Sequence, residues 1–185
     1  MDLGARKLYL GYLIPGVAKT GRQSGDGMEQ SGEHRIPADR ATVWRSLNDP
    51  AVLARCIDGC QSMERLADNR FAATVKARIG PVRATFDVAL TLARMRPPES
   101  YVLEAEVKGK AAGFGKGSAE VALADAGDGA TLLSYRVVGR VGGKLAQIGA
   151  RLINGAARKM ADDFFSAFHE AVDPARSRTP ATNPP

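Results

Sequence analysis

The stretch Val141-Gly142-Gly143-Lys144-Leu145-Ala146-Gln147-Ile148-Gly149-Ala150-Arg151-Leu152-Ile153-Asn154-Gly155-Ala156-Ala157-Arg158-Lys159-Met160 leads a run of helical periodicity that continues to Val172. It does so while carrying Gly142, Gly143, Gly149 and Gly155. Each interior glycine costs a helix roughly 1 kcal/mol relative to alanine. Leu145, Ile148, Gly149, Leu152, Ala156 and Met160 make one stripe, which Phe164, Phe165 and Phe168 extend. The spacing predicts a single long helix over 143–172, bulky in its second half and thin in its first.

Upstream the period is two. Phe71, Ala73, Val75, Ala77 and Ile79 alternate with polar or small neighbours, and Gly80-Pro81 turns the chain. Val82, Ala84, Phe86, Val88, Leu90 and Leu92 then alternate with Arg83, Thr85 and Asp87. Such alternation predicts antiparallel strands with one apolar and one wet face. Tyr101, Leu103, Ala105 and Val107 continue the apolar side after Pro97-Pro98, and Leu133, Tyr135, Val137 and Val141 end the series. The Gly-rich segment 109–117 reads as a bulge or loop, with Phe114 at its rim. Before the sheet come a strand at 29–36 and two short helices. Asp39 caps the first, and Pro50 starts the second. In the first, Val43, Trp44 and Leu47 share a face, with Trp44 expected as a core anchor.

The predicted class is therefore α+β, with a curved antiparallel sheet of about seven strands wrapped around a long C-terminal helix. An apolar sheet face must be covered, and that helix is the element large enough to cover it. Small residues stand on both facing surfaces: Gly149, Ala156 and Ala157 on the helix, Ala73, Ala77, Ala84 and Ala105 on the sheet. Two packings satisfy this pattern. Helix and sheet approach closely, or a space between them holds a ligand, since empty apolar space costs about 24 cal/mol per Å3.

The chain of 185 residues is 44% hydrophobic and 25% charged, which suits one soluble domain. No window reaches the roughly 18 consecutive apolar residues of a membrane span. The formal charge of +6 is spread along the chain without a basic, aromatic-rich run, so nucleic acid is not an expected partner. Residues 1–27 are expected to be a flexible extension, 28–172 the folded domain, and 173–185 a disordered Pro-rich tail. The apolar run at 8–14 is too short for a signal-peptide core.

Cys56 and Cys60 read as partly buried thiols at a helix-to-strand turn. With His34 and His169 expected at opposite ends of the domain, no zinc set is foreseen. The segment Val138-Gly139-Arg140-Val141-Gly142-Gly143-Lys144-Leu145 fails as a phosphate loop. Val138 stands at the first glycine position, and Leu145 replaces the metal-binding hydroxyl. It reads instead as a flexible strand-to-helix joint. Asp87, Glu104, Glu106 and Glu120 fall on wet faces, so paired inward acids for general acid–base work are absent. Arg158 and Lys159 precede Asp162 and Asp163 by four residues, as on a solvated helix face.

Several motifs occur in a fixed order: Ile36-Pro37-Ala38, Asn48-Asp49-Pro50, Cys56-Ile57-Asp58-Gly59-Cys60 and Gly80-Pro81-Val82. Ala111-Ala112-Gly113-Phe114-Gly115-Lys116-Gly117 and Val141-Gly142-Gly143-Lys144-Leu145-Ala146-Gln147 follow. Together they resemble the G-subunit family of carbon monoxide dehydrogenase, of the START-like (polyketide-cyclase-like) helix-grip superfamily, over about 28–172. The resemblance implies an apolar cavity between sheet and helix. It also implies a bacterial accessory protein of a molybdenum-containing carbon monoxide dehydrogenase or related hydroxylase, linked to maturation, membrane attachment or quinone binding. Many relatives end in a hydrophobic anchor. Here the tail is polar, so the contact expected is peripheral, at the inner face of the cytoplasmic membrane.

The function expected is thus a non-catalytic carrier with no covalent cofactor and no metal, holding a quinone or another hydrophobic ligand. The sheet side of its site is expected from Phe71, Val75, Phe86, Val88, Leu90, Tyr101, Leu103 and Tyr135, with Phe114 at the rim. The helix side is expected from Leu145, Ile148, Gly149 and Leu152. Tyr101 and Tyr135 point inward by parity and suit a ligand carbonyl or a protein partner. The alternatives are a maturation or interaction module with a filled core, and a small START-like cyclase or hydrolase.

Overall fold

The computed structural model describes residues 27–173. The anticipated extension and tail, apart from Gly27 and Asp173, lie outside the described residues. Strand β1 (Gly27–Ile36) is followed by α1 (Arg40–Leu47) and α2 (Pro50–Cys56). A meander follows: β2 (Cys60–Ala67), β3 (Arg70–Ile79), β4 (Val82–Arg96), β5 (Ser100–Gly109), β6 (Gly113–Asp125) and β7 (Thr131–Gly142). The chain closes with α3 (Lys144–Gln147) and α4 (Ala150–Val172).

All seven strands form one antiparallel sheet in the order β1-β7-β6-β5-β4-β3-β2. Strands β1 and β2, adjacent in sequence, are therefore its opposite edges. The helices α1 and α2 span the distance between them. Local chemistry fixes where each helix starts. The Asp39 carboxylate accepts from the Thr42 amide at 2.9 Å and from its hydroxyl at 2.6 Å, which holds the Asp39 pKa below its ordinary value. Asp49 accepts from the Ala51 amide at 2.8 Å, and Pro50 occupies the first turn of α2. Each such cap stabilises a helix by about 1 kcal/mol.

The expected helix over 143–172 is divided. Gly149 has φ +89° and is the N-cap of α4, while Gly143 has φ +70° and caps α3. These are left-handed backbone values that side chains with a Cβ rarely adopt. The glycines at both positions therefore break the helix and do not thin it. At Gly149 a Cβ would meet nothing within 4 Å, so conformation alone requires the glycine. At Gly143 a Cβ would also fall 2.7 Å from the Cα of Gly113.

The break resets the helix phase. The residues of α4 that are buried are Ile153, Phe165, Phe168 and Val172, whereas Leu152 and Met160, expected on the inward stripe, are 48% and 49% exposed. The segment read as a loop over 109–117 is mostly strand, with only 110–112 forming the turn. Phe114 pairs with Lys108 on one side and Gly142 on the other, and its ring lies across Gly142.

The core is in two parts. The first gathers Ile36, Val43, Leu47, Phe71, Leu92, Tyr101, Leu123, Leu133, Phe165, Phe168 and Val172, with Trp44 packed against it. The second is much smaller: Phe86, Ala112, Leu145 and Ile153, with Ile79, Val82, Val141 and Ile148 around it.

Candidate functional site

Between the two clusters lies the middle of the sheet, and strand register shows what it presents. Leu90 pairs with Ala105, Ala105 with Gly117, Gly117 with Gly139, and Gly139 with Met28. Three of the smallest residues thus stand side by side on the concave face. The main contacts of α4 are with α2, α1, β1 and β3, not with the central strands. The concave-face residues Val88, Leu90, Leu103, Ala105, Val107, Val121 and Val137 are half-buried; Leu90, Leu103 and Val121 pack against the first cluster and Val88 and Val107 against the second, so that of these Ala105 and Val137 lie between them. Strand parity turns these side chains toward α4.

The anticipated site residues divide by position. Phe71, Tyr101, Leu90, Leu103 and Tyr135 belong to the first cluster or pack on it. Phe86, Val88, Leu145 and Ile148 do so at the second. Val75 is buried beside Phe86 on the paired strand. Gly149 is exposed at the α4 N-cap, and Phe114 is 50% exposed. Leu152 lies outside the interior, its Cδ1 near the Gly80 turn.

The polar groups of the interior were partly missed by sequence reasoning. His34 and His169, expected far apart, have ring centroids 6.3 Å apart. Antiparallel pairing and the return of α4 over β1 bring them together. The His34 ring stacks on Phe165 at 3.7 Å and lies 6.0 Å from Tyr135. Burial lowers the His34 pKa, the nearby His169 lowers it further, and Asp162 opposes the shift. The Tyr135 ring crosses Gly32, where a Cβ would fall 2.7 Å from the phenol oxygen, and that oxygen accepts from Gln30 Nε2 at 3.3 Å. Tyr101 meets the edge of Trp44 at 5.5 Å, and burial pushes its phenol pKa up.

Among the described residues two buried side-chain atoms have no hydrogen-bond partner: His169 Nε2 and Asn154 Oδ1. An unpaired buried polar atom costs roughly 1–3 kcal/mol. Parity could have flagged His34, which stands two residues before the buried Ile36. Asn154 gave no such signal, because the helix phase it belongs to starts only after the break at Gly149.

Two open concavities lie elsewhere. One, on the outer face of β2–β5, is rimmed by Glu64, Asp87, Glu106 and Lys108, with Lys116 donating to Glu106 at 2.7 Å nearby. The other lies beside α1 and the β6–β7 turn, lined by Arg35, Asp39, Thr42, Asp128 and His169. Val88 is the one anticipated lining residue that touches either.

Among the described residues no group of three or more His, Cys, Asp or Glu side chains is assembled to hold a metal. Cys56 and Cys60 are free thiols whose pKa burial raises, opposite to the shift that activates a thiolate. No helix among the described residues is long and apolar enough to cross a membrane.

An antiparallel sheet curved around one long helix, with two short helices after the first strand, is the START-like helix-grip fold, a binding fold. Solved structures agree. A START superfamily protein from Mycobacterium smegmatis superposes with a TM-score of 0.62 at 12% identity, over 78% of this chain and 97% of that one. A protein from Rhizobium leguminosarum gives 0.62 at 13% identity, over 81% and 97%. A conserved protein from Geobacillus kaustophilus gives 0.74 at 29% identity, over 78% and 95%. No curated protein matches the sequence. The family model for the G subunit of carbon monoxide dehydrogenase (CoxG) matches residues 32–173, and the chain belongs to that family. Membership and fold together indicate a ligand-binding accessory protein.

Proposed function

We propose that the chain is a non-catalytic carrier that holds a hydrophobic ligand, a quinone, between α4 and the central strands. Its partner is a carbon monoxide dehydrogenase-like molybdenum enzyme, which it serves as an electron-acceptor delivery protein in peripheral contact with the cytoplasmic membrane. The observation that carries the reading is the split core. Between its two parts stands the row Ala105, Gly117 and Gly139, small and only half-buried. Apolar walls with few polar groups suit a ligand whose binding derives from buried area. A non-catalytic role is supported by the chemistry present: the titratable interior groups are aromatic-stacked histidines and tyrosines, and the carboxylates Asp87, Glu104 and Glu106 lie exposed. The test is organic extraction of protein purified from its native host, followed by mass spectrometry. Near-stoichiometric quinone is the expected result. Protein that is empty and also rejects added quinones would transfer the assignment to a maturation module with a filled core.

A further inference from the structure

We propose that Asn154 is the polar anchor of the interior site and that it selects a ligand carrying a hydrogen-bond donor, a ring hydroxyl of the phenol or quinol class. This rests on the carrier reading above and specifies which ligand end the site holds. Asn154 is the fifth residue of α4, too deep to cap the helix, and asparagine is a poor helix former. It follows the buried Ile153 of the smaller cluster. Burial along α4 identifies the inward face as Asn154, Ala157, Ala161 and Phe165, while Gly155, Arg158 and Asp162 are exposed. Asn154 is the polar residue on that face, and the next two positions are alanines, the smallest side chains that still favour a helix.

Its Oδ1 is sealed from solvent and accepts nothing. A mid-helix asparagine has an obvious local use, bonding its own backbone, and it does not take it. A group buried without a partner in the protein is satisfied when the partner is a bound molecule. Oδ1 is an acceptor, so the ligand atom that pairs with it is a donor. A quinol hydroxyl or a phenol meets that need, whereas a hydrocarbon or an ether does not.

The test is isothermal titration of the full-length protein with 4-octylphenol and with 4-octylanisole, which differ in having or lacking the donor. Wild type is expected to bind the phenol at least about fivefold more tightly, the worth of one net hydrogen bond. Asn154→Leu should bind both with the affinity wild type has for the anisole, and should melt no lower than wild type, because the unpaired amide is gone. Asn154→Ala should lose the preference too, which keeps the test decisive if leucine disturbs the packing. Equal binding of both probes to wild type, a preference for the anisole, or a preference kept in both variants overturns Asn154's role and leaves the carrier reading standing. Rejection of both probes by wild type overturns both together.

Discussion

Replacing Ala105 with leucine distinguishes a hollow interior from a packed one. Ala105 sits at the centre of the row Leu90–Ala105–Gly117–Gly139 and is half-buried on the concave face. The substitution adds three carbons. If the space in front of it is open, those carbons are removed from water by α4 and contribute up to about 2 kcal/mol, at about 0.8 kcal/mol per carbon. If helix and sheet already touch there, the same carbons overpack the core and cost about 1–3 kcal/mol. For a domain of about 150 residues, 1 kcal/mol corresponds to roughly 2–4 °C in Tm. The two packings therefore predict shifts of opposite sign, each of several degrees, in a calorimetric melt. Ligand binding is the second readout. Trp44, the sole tryptophan, packs on the first cluster and would report entry of the proposed quinone by fluorescence quenching. The expected outcome for Ala105→Leu is an unchanged or raised Tm with quenching weakened at least tenfold. A Tm lowered by several degrees would refute the hollow, and unaltered quenching in a folded variant would place the ligand elsewhere.

The remaining predictions concern stability and its distribution. Phe168→Ala removes a fully buried ring and should cost about 3–5 kcal/mol, while Leu152→Ala, on the exposed side of the same helix, should stay within about 0.5 kcal/mol. Chemical denaturation of both variants checks the helix phase, and equal costs would contradict it. Because the folded pKa of His34 lies below its ordinary 6.5, the unfolded chain takes up the proton first as pH falls. Stability from His34 is thus present above about pH 6.5 and lost below it, until the folded pKa is passed. His34→Phe should flatten the midpoint of urea unfolding between pH 7 and 5, and a slope equal to wild type would remove His34 from that role. Amide exchange should be faster in α3 than in the second half of α4, because α3 is a single turn between positive-φ glycines. Equal protection would show that the joint does not open on its own.

The sheet was legible because its signal is local and repeated. Alternation at Phe71, Ala73, Val75 and at Val82, Ala84, Phe86 survives any error in strand ends, and Asp39 and Asp49-Pro50 name their helix starts by cap chemistry. The helix was legible as an element but not in phase. Periodicity carried from Leu145 and Ile148 through Gly149 placed Leu152 and Met160 inward, whereas the turn at Gly149 restarts the count one residue later, at Ile153. A glycine with positive φ leaves the same letter in the sequence as a glycine inside a helix. Segment 113–117 misled in the same way, since Gly115 and Gly117 sit within a strand, where a Cβ at Gly117 would fall 2.5 Å from the Val138 carbonyl oxygen. The pairing of His34 with His169 depends on α4 folding back over β1, a tertiary contact between residues 135 positions apart that no local pattern encodes.

The two halves of the domain differ in what holds them, and that difference bears on how a ligand would enter. At the helical end thirteen buried residues from β1, α1, α2, the sheet and α4 interlock, and the stack of His34 on Phe165 ties α4 to β1. At the other end four buried residues hold α3 and the first turn of α4. Opening a segment costs free energy roughly in proportion to the apolar area it exposes. Movement of α3 about Gly143 and Gly149 uncovers Leu145 and Ile148 but leaves the larger cluster intact. The entry route that disturbs the fold least therefore lies at the end with the smaller cluster. Asn154, one turn beyond the Gly149 break, stands just inside it, where an arriving ring would meet its first polar group.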